Sequence, residues 1–409
     1  MTKSQGKFLP YGHQVIEEDD IEAVNAVLRS DWLTTGPAVE AFESALSNYL
    51  DVPHVVSCSS GTAALHLAAA AAGLGTGDVA IVPSLTFLAT ASMVCHTGAE
   101  VLFADVDPDT GLMTAETLKN ALDSEAGKRA RAVFPVHLAG QCVEPFEIAN
   151  IASEHKLMVI EDAAHAIGTT YADGESSRKI GDCGYSDMAI FSFHPVKTIA
   201  MGEGGAIATD NSELAERLGQ LRNHGMTRDP DRFVHSDLAF DPNGEPNPWY
   251  YEMHAPGFNY RASDIHSALG LSQLKKIKRF RRQRELLVAR YNENLRDLSN
   301  NVRPIKRMPN CIPAWHLYPV LIDFDVIGKA RSKVMSELCE QGIGTQVHYQ
   351  PVHLQPYFKQ RYGEVELPGT EAYYRRTLSL PLFSAMTTED VDRVCDVLRK
   401  IVSPGNNSD

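Results

Sequence analysis

Short apolar runs alternate with helical segments through the first half of the chain. The runs are VPHVVSC, VAIVPS, VLFADVDP, RAVFPVHLAG and KLMVIED, and each is followed by residues with helical periodicity. Strands separated by helices favour a mostly parallel sheet with helices on both faces. Ligands of such sheets bind at the carboxyl ends of the strands. We therefore predict an α/β fold with its functional site at that edge.

One strand leads into a lysine and a glycine-dense turn. AIFSF is followed by Lys197 and then by Gly202, Gly204 and Gly205. Burial lowers the pKa of a lysine and frees an uncharged amine, which is the state that a Schiff-base lysine requires. Most lysines beside glycine-rich turns are solvated, so the motif is weak by itself. Three other stretches each add a part of a pyridoxal phosphate (PLP) site.

The stretch SSGT at residues 59–62 opens an alanine-rich helix. A serine or threonine at a helix start is a common N-cap. The free backbone N–H groups and the positive end of the helix dipole also suit a phosphate group. Both interpretations stay open from the residues alone.

Three further side chains follow strands. Phe87 comes after AIVPS, where an aromatic ring stacks on a planar ligand or packs in the core. Asp162 ends LMVIED, and a buried carboxylate is costly unless it is paired. A protonated pyridine nitrogen, which makes PLP an electron sink, is one such partner. His165 is placed to lie over the same ring.

A dinucleotide site is the main alternative for a sheet of this kind. The glycines of GLGTGD, at residues 73, 75 and 77, miss the G-x-G-x-x-G spacing, and they follow a helix instead of opening one. We therefore do not expect a Rossmann fold.

The net charge and the cysteine spacing limit the binding partners and the cellular compartment that we expect. The 52 acidic and 38 basic residues give a formal charge of -14, which opposes binding to nucleic acid or to an anionic membrane. The seven cysteines form no CxxC pair and no zinc spacing, so we expect free thiols and no metal. We find no signal-peptide core and no apolar run of the roughly 20 residues that a membrane span needs. We expect a cytoplasmic protein.

The composition changes at residues 223–260, which are rich in Pro, Asp, Asn and Gly. Three adjacent aromatic residues at 249–251 indicate an ordered loop that binds a partner subunit or anchors itself. Apolar spacing then predicts one helix of about eight turns over residues 264–295. Seven basic residues between Lys275 and Arg284 are interpreted as its solvated face.

Shorter strands and helices follow the long helix, with IGTQVHYQP among the strand candidates. We predict a large PLP-binding α/β domain at residues 1–270 and a smaller C-terminal α+β domain at residues 271–409. The long helix is expected to bridge them.

With these residues identified, the chain resembles the PLP-dependent nucleotide-sugar aminotransferases of the DegT/DnrJ/EryC1/StrS family, which have the fold-type I architecture. The resemblance runs from about Tyr11 to Val402. The motifs that carry it are, in order, DWLTTGP, SSGTAAL, PSLTFLAT, EDAAHAIG, FSFHPVK, GEGGA, GFNYRASDIHSALGLSQL and VHYQPVHLQPYF. FSFHPVK, PWYYEM, GFNYR and VHYQP are most similar to the pseudaminic acid branch. The stretch DRFVHSDLAFDPNGEPN departs from the family pattern.

The resemblance implies a role for each cofactor residue. Lys197 would be the Schiff-base lysine and proton carrier, and Asp162 would contact the pyridine nitrogen. Phe87 would stack on the ring, and His165 would lie near its oxygen. The phosphate would be held by Gly61, Thr62, Ser192 and, from the neighbouring subunit, Asn259. A homodimer with shared active sites is therefore expected.

The resemblance also implies the substrates. The amino group would move from glutamate to C4 of a nucleotide-linked keto sugar. The substrate residues would be Tyr11, Trp32, Leu33, Thr34, His348, Tyr349, Gln350 and Pro351.

Two other functions remain possible from the sequence. Some relatives are sugar dehydrases in which a histidine replaces the lysine, and Lys197 speaks against that chemistry. A non-catalytic binding or regulatory role can also occupy this fold. Lys197 and Asp162 together disfavour it. The sugar could also be another nucleotide keto sugar, of the UDP-bacillosamine or GDP-perosamine type.

Overall fold

The computed structural model describes residues 8–296, 298 and 301–402. The helices are α1 (Glu18–Leu28), α2 (Pro37–Leu50), α3 (Gly61–Ala71), α4 (Leu88–His96), α5 (Ala115–Leu122), α6 (Pro145–His155), α7 (Ser212–Arg222), α8 (Ser236–Ala239), α9 (Asp264–Leu274), α10 (Ile277–Leu295), α11 (Arg331–Glu340), α12 (Pro356–Tyr362), α13 (Pro368–Arg376) and α14 (Thr388–Val402). The strands are β1 (His54–Cys58), β2 (Val79–Pro83), β3 (Glu100–Ala104), β4 (Ala130–Val133), β5 (Met158–Asp162), β6 (Thr170–Asp173), β7 (Ser176–Lys179), β8 (Met188–Ser192), β9 (Gly205–Thr209), β10 (Met226–Thr227), β11 (Glu252–Met253), β12 (Val302–Pro304), β13 (Cys311–Ile312), β14 (Tyr318–Ile322) and β15 (Thr377–Leu380).

A seven-stranded sheet with the order β1-β9-β8-β5-β4-β2-β3 forms the centre of the fold. From β8 to β3 every neighbouring pair is parallel, and β9 runs antiparallel to both β8 and β1. All five residues of β2 and of β9 are buried, as expected where helices cover both faces of a sheet. The predicted mostly parallel α/β fold is confirmed.

The C-terminal part contains a three-stranded antiparallel sheet, β12-β14-β15. One continuous apolar core joins this sheet to the large one, since Ile81 and Leu85 belong to the same cluster as Val320 and Leu380. The proposed domain boundary after residue 270 falls inside α9. The division into two domains stays a prediction.

The prediction of one long helix over residues 264–295 is wrong. The chain forms α9 and α10 with a break at Lys275 and Lys276. The cause is Lys276, which is only 8% exposed and forms salt bridges with Glu17, Asp19 and Asp20 at the start of α1. Apolar periodicity does not report this contact, because the partners lie far apart in the sequence.

The interpretation of the basic run as a solvated face is wrong for two of its seven residues. Lys276 and Arg284 are both buried. The predicted strand over IGTQVHYQP is also absent from the described residues. There Ile343 and Gln346 form only isolated bridges, with Leu9 and Ser379. The segment passes along a cavity, where its side chains contact the site instead of a neighbouring strand.

The loop after α7 is ordered around one carboxylate. Glu252 accepts hydrogen bonds from the backbone of Val234 and His235 and from the Tyr250 hydroxyl. The anchoring interpretation therefore fits Tyr250. Trp249 and Tyr251 remain exposed.

Candidate active site

An open cavity of about 490 Å³ lies at the carboxyl ends of the parallel strands. The start of α3, the start of α4, the ends of β5 and β8 and residues 346–349 line it. The predicted site residues that line this cavity are Tyr11, Gly61, Thr62, Phe87, Asp162, His165, Ser192, Lys197, His348 and Tyr349.

Two glycines let the start of α3 approach the end of β8. A Cβ atom on Gly61 would lie 2.7 Å from the Cβ of Ser192, and one on Gly205 would lie 2.3 Å from the carbonyl oxygen of Ser60. The Ser60 hydroxyl accepts a 3.1 Å hydrogen bond from the third N–H of the helix and is the N-cap. The first two N–H groups, of Gly61 and Thr62, have no hydrogen-bond partner within residues 8–296, 298 and 301–402. The N-cap and the anion-binding interpretation of SSGT are thus compatible.

Lys197 lies in the loop between β8 and β9. Burial lowers the pKa of Lys197 to about 8, and the negative charge of Asp162 opposes the shift. A lysine with this pKa carries an appreciable fraction of uncharged amine at neutral pH. The uncharged amine is the nucleophile and proton acceptor that Schiff-base chemistry requires.

Asp162 is a buried carboxylate held by hydrogen bonds. Its Oδ2 accepts a 2.7 Å bond from the hydroxyl of Thr90, and its Oδ1 accepts a 3.2 Å bond from the backbone of Ala164. Burial raises the pKa of Asp162, and the bond from Thr90 opposes that shift. The sequence analysis missed Thr90. The only local signal for Thr90 is its four-residue spacing from Thr86, which lies just before α4. This spacing brings the two hydroxyls to 2.8 Å from each other.

Aromatic and imidazole rings face the same space. Phe87 is 55% exposed, and its ring centroid lies 6.0 Å from that of Tyr349. The Nδ1 of His165 accepts a hydrogen bond from the backbone of Ala139 at 3.4 Å, and its Nε2 lies 3.1 Å from the Tyr349 hydroxyl. Burial, followed by the charge of Lys197, lowers the pKa of His165 well below its usual value. The ring is neutral, and the assigned contacts place its proton on Nε2.

Two more histidines belong to this group. His316 lines the cavity with its ring centroid 4.4 Å from that of His165. His348 pairs its Nδ1 with the Ser379 hydroxyl at 2.8 Å, and burial lowers the pKa of His348 to about 3. His316 was missed because its neighbour in the site, His165, lies far away in the sequence. Other polar lining residues that the sequence analysis did not assign to the site are Thr86, His194, Glu203 and Gln346.

The remaining predicted residues do not line the cavity of their own chain. They are Trp32, Leu33, Thr34, Asn259, Gln350 and Pro351. Gln350 and Pro351 directly follow the lining segment. Asn259 and residues 32–34 are exposed.

Backbone contacts join Leu33 and Thr34 to Ser263 and Asp264. Thr34 forms an isolated bridge with Ser263, and the carbonyl of Leu33 accepts a 3.1 Å bond from the backbone of Asp264. The buried carboxylate of Asp264 accepts a 2.8 Å bond from the backbone of Gly36, just before α2, and a 2.9 Å bond from that of Ala38 in its first turn. Residues 33–36 therefore contact residues 263 and 264 directly, whereas Asn259 forms an isolated bridge with Asn223. We name the exposed residues 32–34 and Asn259 together the outer surface.

The cavity residues fit pyridoxal phosphate. The unpartnered N–H groups of Gly61 and Thr62 beside the Ser192 hydroxyl suit the phosphate, and a side chain on Gly61 would fill that space. Asp162 offers a buried carboxylate to the ring nitrogen. Lys197 offers an amine to the aldehyde, and the exposed face of Phe87 suits a planar ring.

Comparisons with known proteins agree with this geometry. The model of the DegT/DnrJ/EryC1/StrS aminotransferase family matches residues 14–399. The spore coat polysaccharide biosynthesis protein SpsC of Bacillus subtilis is 38% identical over 405 residues, which cover 98% of this chain and 99% of that protein. Helicobacter pylori PseC, an aminotransferase involved in pseudaminic acid biosynthesis, superposes with a TM-score of 0.85 at 29% identity, over 97% of this chain and 99% of PseC. Spr1654 from Streptococcus pneumoniae, described as a sugar aminotransferase and solved in its PLP form, has a TM-score of 0.84 at 26% identity over 97% of this chain and 98% of its own.

The fold and the site define a PLP-dependent sugar aminotransferase. The family match covers nearly the whole chain, and the chain belongs to the DegT/DnrJ/EryC1/StrS aminotransferase family. Among the described residues, we find no helix with the length and apolar character needed to cross a membrane.

Proposed function

We propose that this enzyme moves an amino group from an amino acid, with L-glutamate as the expected donor, to C4 of a UDP-linked 4-keto-6-deoxy-N-acetylhexosamine. The acceptor would be UDP-2-acetamido-2,6-dideoxy-β-L-arabino-hexos-4-ulose. The product would be UDP-4-amino-4,6-dideoxy-N-acetyl-β-L-altrosamine, an intermediate of pseudaminic acid-type sugar biosynthesis. The observation that carries this proposal is the similarity to PseC along nearly the full length of both chains.

Several polar residues of the cavity have roles in this reaction. When bound, PLP supplies an aldehyde that carries the amino group and a ring that withdraws electrons. The Nζ of Lys197 accepts the proton from Cα of the amino donor and, in the second half-reaction, gives a proton to C4 of the sugar. The bond from Thr90 holds the Asp162 carboxylate in place. His165 and Tyr349 form a neutral hydrogen-bonded pair that orients polar groups without adding charge.

A second candidate is an aminotransferase for another nucleotide keto sugar, of the UDP-bacillosamine or GDP-perosamine type. The 38% identity to SpsC favours keeping it, because SpsC is named for spore coat polysaccharide biosynthesis. A non-catalytic role is disfavoured by Lys197 and Asp162, which together have the environments that catalysis requires.

We also propose a homodimer with shared active sites as the active unit. The support is that Trp32, Leu33 and Asn259 lie outside the cavity of their own chain and are exposed. A second copy could bring that surface to the cavity mouth. The cytoplasmic location, and the expectation that neither nucleic acid nor membrane is a partner, stay predictions.

The test is a substrate panel. The protein loaded with PLP is incubated with UDP- and GDP-linked 4-keto sugars, each with several amino donors, and the product masses are measured. We expect amination of the UDP-linked N-acetyl sugar, with no product from Lys197→Ala. Amination confined to a GDP-linked sugar would overturn the proposed substrate and leave the enzyme class intact.

A further inference from the structure

The basic run of α10 contains a buried cation for which the described residues provide no acidic partner. Arg284 is 2% exposed, on the face of α10 that also buries Leu287, Val288 and Tyr291. Burial lowers the pKa of Arg284 to about 10, so the guanidinium remains charged at neutral pH. A buried charge is costly unless hydrogen bonds compensate it. Its contacts therefore indicate what it does.

Arg284 connects α10 to one segment that lines the cavity and to another that holds a lining residue. Its Nη1 donates to the carbonyl of His316 at 3.1 Å and to that of Leu382 at 2.9 Å. His316 lines the cavity directly. The backbone of Leu382 donates to the carbonyl of Tyr11, another lining residue, at 3.0 Å. One guanidinium thus fixes both segments against the same helix.

The placement of His316 depends on these backbone contacts. The Nδ1 atom of its ring has no partner within the described part of the chain. The backbone N–H of His316 donates to the carbonyl of Ala139 at 2.9 Å, and the N–H of Ala139 donates to His165. The backbone at His316 is therefore held by Ala139 on one side and by Arg284 on the other.

We propose that Arg284 is a positioning residue of the active site, which fixes the backbone at His316 and opposes protonation of its imidazole, which faces that of His165. The inference rests on the cavity being the active site of the proposed reaction. Neutral rings matter because only a neutral imidazole can both donate and accept a hydrogen bond. A protonated His165 could no longer accept the bond from Ala139.

The electrostatic part of the inference follows from the groups that face His316. Burial is the main cause that lowers its pKa well below the usual value, and His165, Lys197, Arg284 and His348 add to the effect. None of these four groups carries a negative charge. Two of these groups, Lys197 and Arg284, are charged at neutral pH. Removing Arg284 should therefore allow His316 to titrate at a higher pH.

The first experiment needs no turnover. Histidine 13Cε1 resonances are followed with pH in the protein purified without cofactor, and His316 is assigned through His316→Gln. In Arg284→Met the titration midpoint of His316 should rise by about one pH unit or more. Arg282→Met, an exposed change on the same helix, should leave the midpoint unchanged. An unchanged midpoint in Arg284→Met would overturn the electrostatic part.

The second experiment separates positioning from charge and remains available if Arg284→Met does not fold. Arg284→Lys keeps the charge but replaces the rigid planar guanidinium, whose Nη1 reaches both carbonyls, with an ammonium on a flexible stem. We expect wild-type His316 titration with kcat/KM lowered about tenfold, mainly through kcat. The loss should be smaller when His316→Gln is already present, because Arg284 acts through that residue. Wild-type kcat/KM in Arg284→Lys, or losses that simply add, would overturn the positioning role. Loss of activity in every protein, with the NMR result intact, would instead refute the proposed substrate.

Discussion

The cavity and the outer surface contain predicted site residues in opposite states. In the cavity, Asp162 and His165 are buried and held by hydrogen bonds from the same chain. On the outer surface, Trp32 is 53% exposed and Asn259 is also exposed, although Asp264 fixes the loop that contains Trp32. The difference teaches that a single chain fixes the predicted cofactor residues that line its cavity, whereas Asn259 lies outside that cavity. The residues of the outer surface would reach a cavity only in the proposed homodimer.

Exposed apolar side chains support this interpretation of the outer surface. Helix α1 leaves Ile21 and Leu28 exposed, and the loop after α7 exposes Val234 and Trp249, the latter by 70%. Large apolar side chains exposed in such numbers are typical of a protein interface. At the cavity end, Gly61 and Gly205 let neighbouring elements pack closely.

The largest expected effect is at the cavity end. Lys197→Ala should lower transamination by about four orders of magnitude or more, because the substitution removes both the nucleophile and the proton carrier. Kinetics with the preferred sugar measure the loss. Borohydride reduction of the wild-type protein with PLP, followed by peptide mapping, should label the peptide that contains Lys197. A label on another lysine would contradict the assignment.

A smaller loss is expected at Asp162. Asp162→Asn should lower kcat by about 10²-fold or more, because a neutral amide no longer holds the ring nitrogen protonated. Thr90→Val should cost less, about tenfold, since it removes one hydrogen bond to a carboxylate that remains. Steady-state kinetics and circular dichroism of both variants provide the test. Near wild-type turnover in folded Asp162→Asn would make this carboxylate structural.

The cavity end could be predicted from the sequence because its signals are local. Lys197 and Asp162 follow apolar strands in a repeating α/β pattern, and a parallel sheet brings such strand ends together. Thr90 and His316 were missed because their roles depend on partners far away in the sequence. The break before α10 was missed for the same reason, since Lys276 turns inward toward carboxylates of α1.

The outer surface was predictable only through the family resemblance. No periodicity or spacing around Trp32 or Asn259 indicates a shared role, and in the structure Thr34 bridges to Ser263 whereas Asn259 bridges to Asn223. Whether these residues act at the cavity of their own chain or of a second copy depends on how the subunits assemble. A single sequence contains no local signal for it.

Complementation tests whether the outer surface of one subunit completes the cavity of its partner. Lys197→Ala and Asn259→Ala proteins are mixed in equal amounts under subunit exchange. With shared sites, a mixed dimer carries both lesions in one site and none in the other, so activity should recover to about a quarter of wild type. Asn259→Ala alone must first be shown to be impaired. Mixing Lys197→Ala with Asp162→Asn is the matched control and should give no recovery, because both lesions lie in the cavity of their own chain. Absence of recovery in the first mixture would place Asn259 in its own site.

The smallest effect concerns the stability cost of the cavity end. The pKa of Lys197 is lowered to about 8 in the folded protein, so between about pH 8 and 10.5 the unfolded chain binds more protons and stability rises with pH. Below pH 8 the full penalty of burying the charge applies. In the cofactor-free protein, Lys197→Met should therefore raise the free energy of unfolding at pH 7 by about 2 kcal/mol. Urea unfolding at several pH values measures this gain, which should shrink as the pH approaches 10.5. A gain that is independent of pH would mean that methionine only improves apolar packing. As a control, Lys278→Met, at an exposed position, should show no pH-dependent gain.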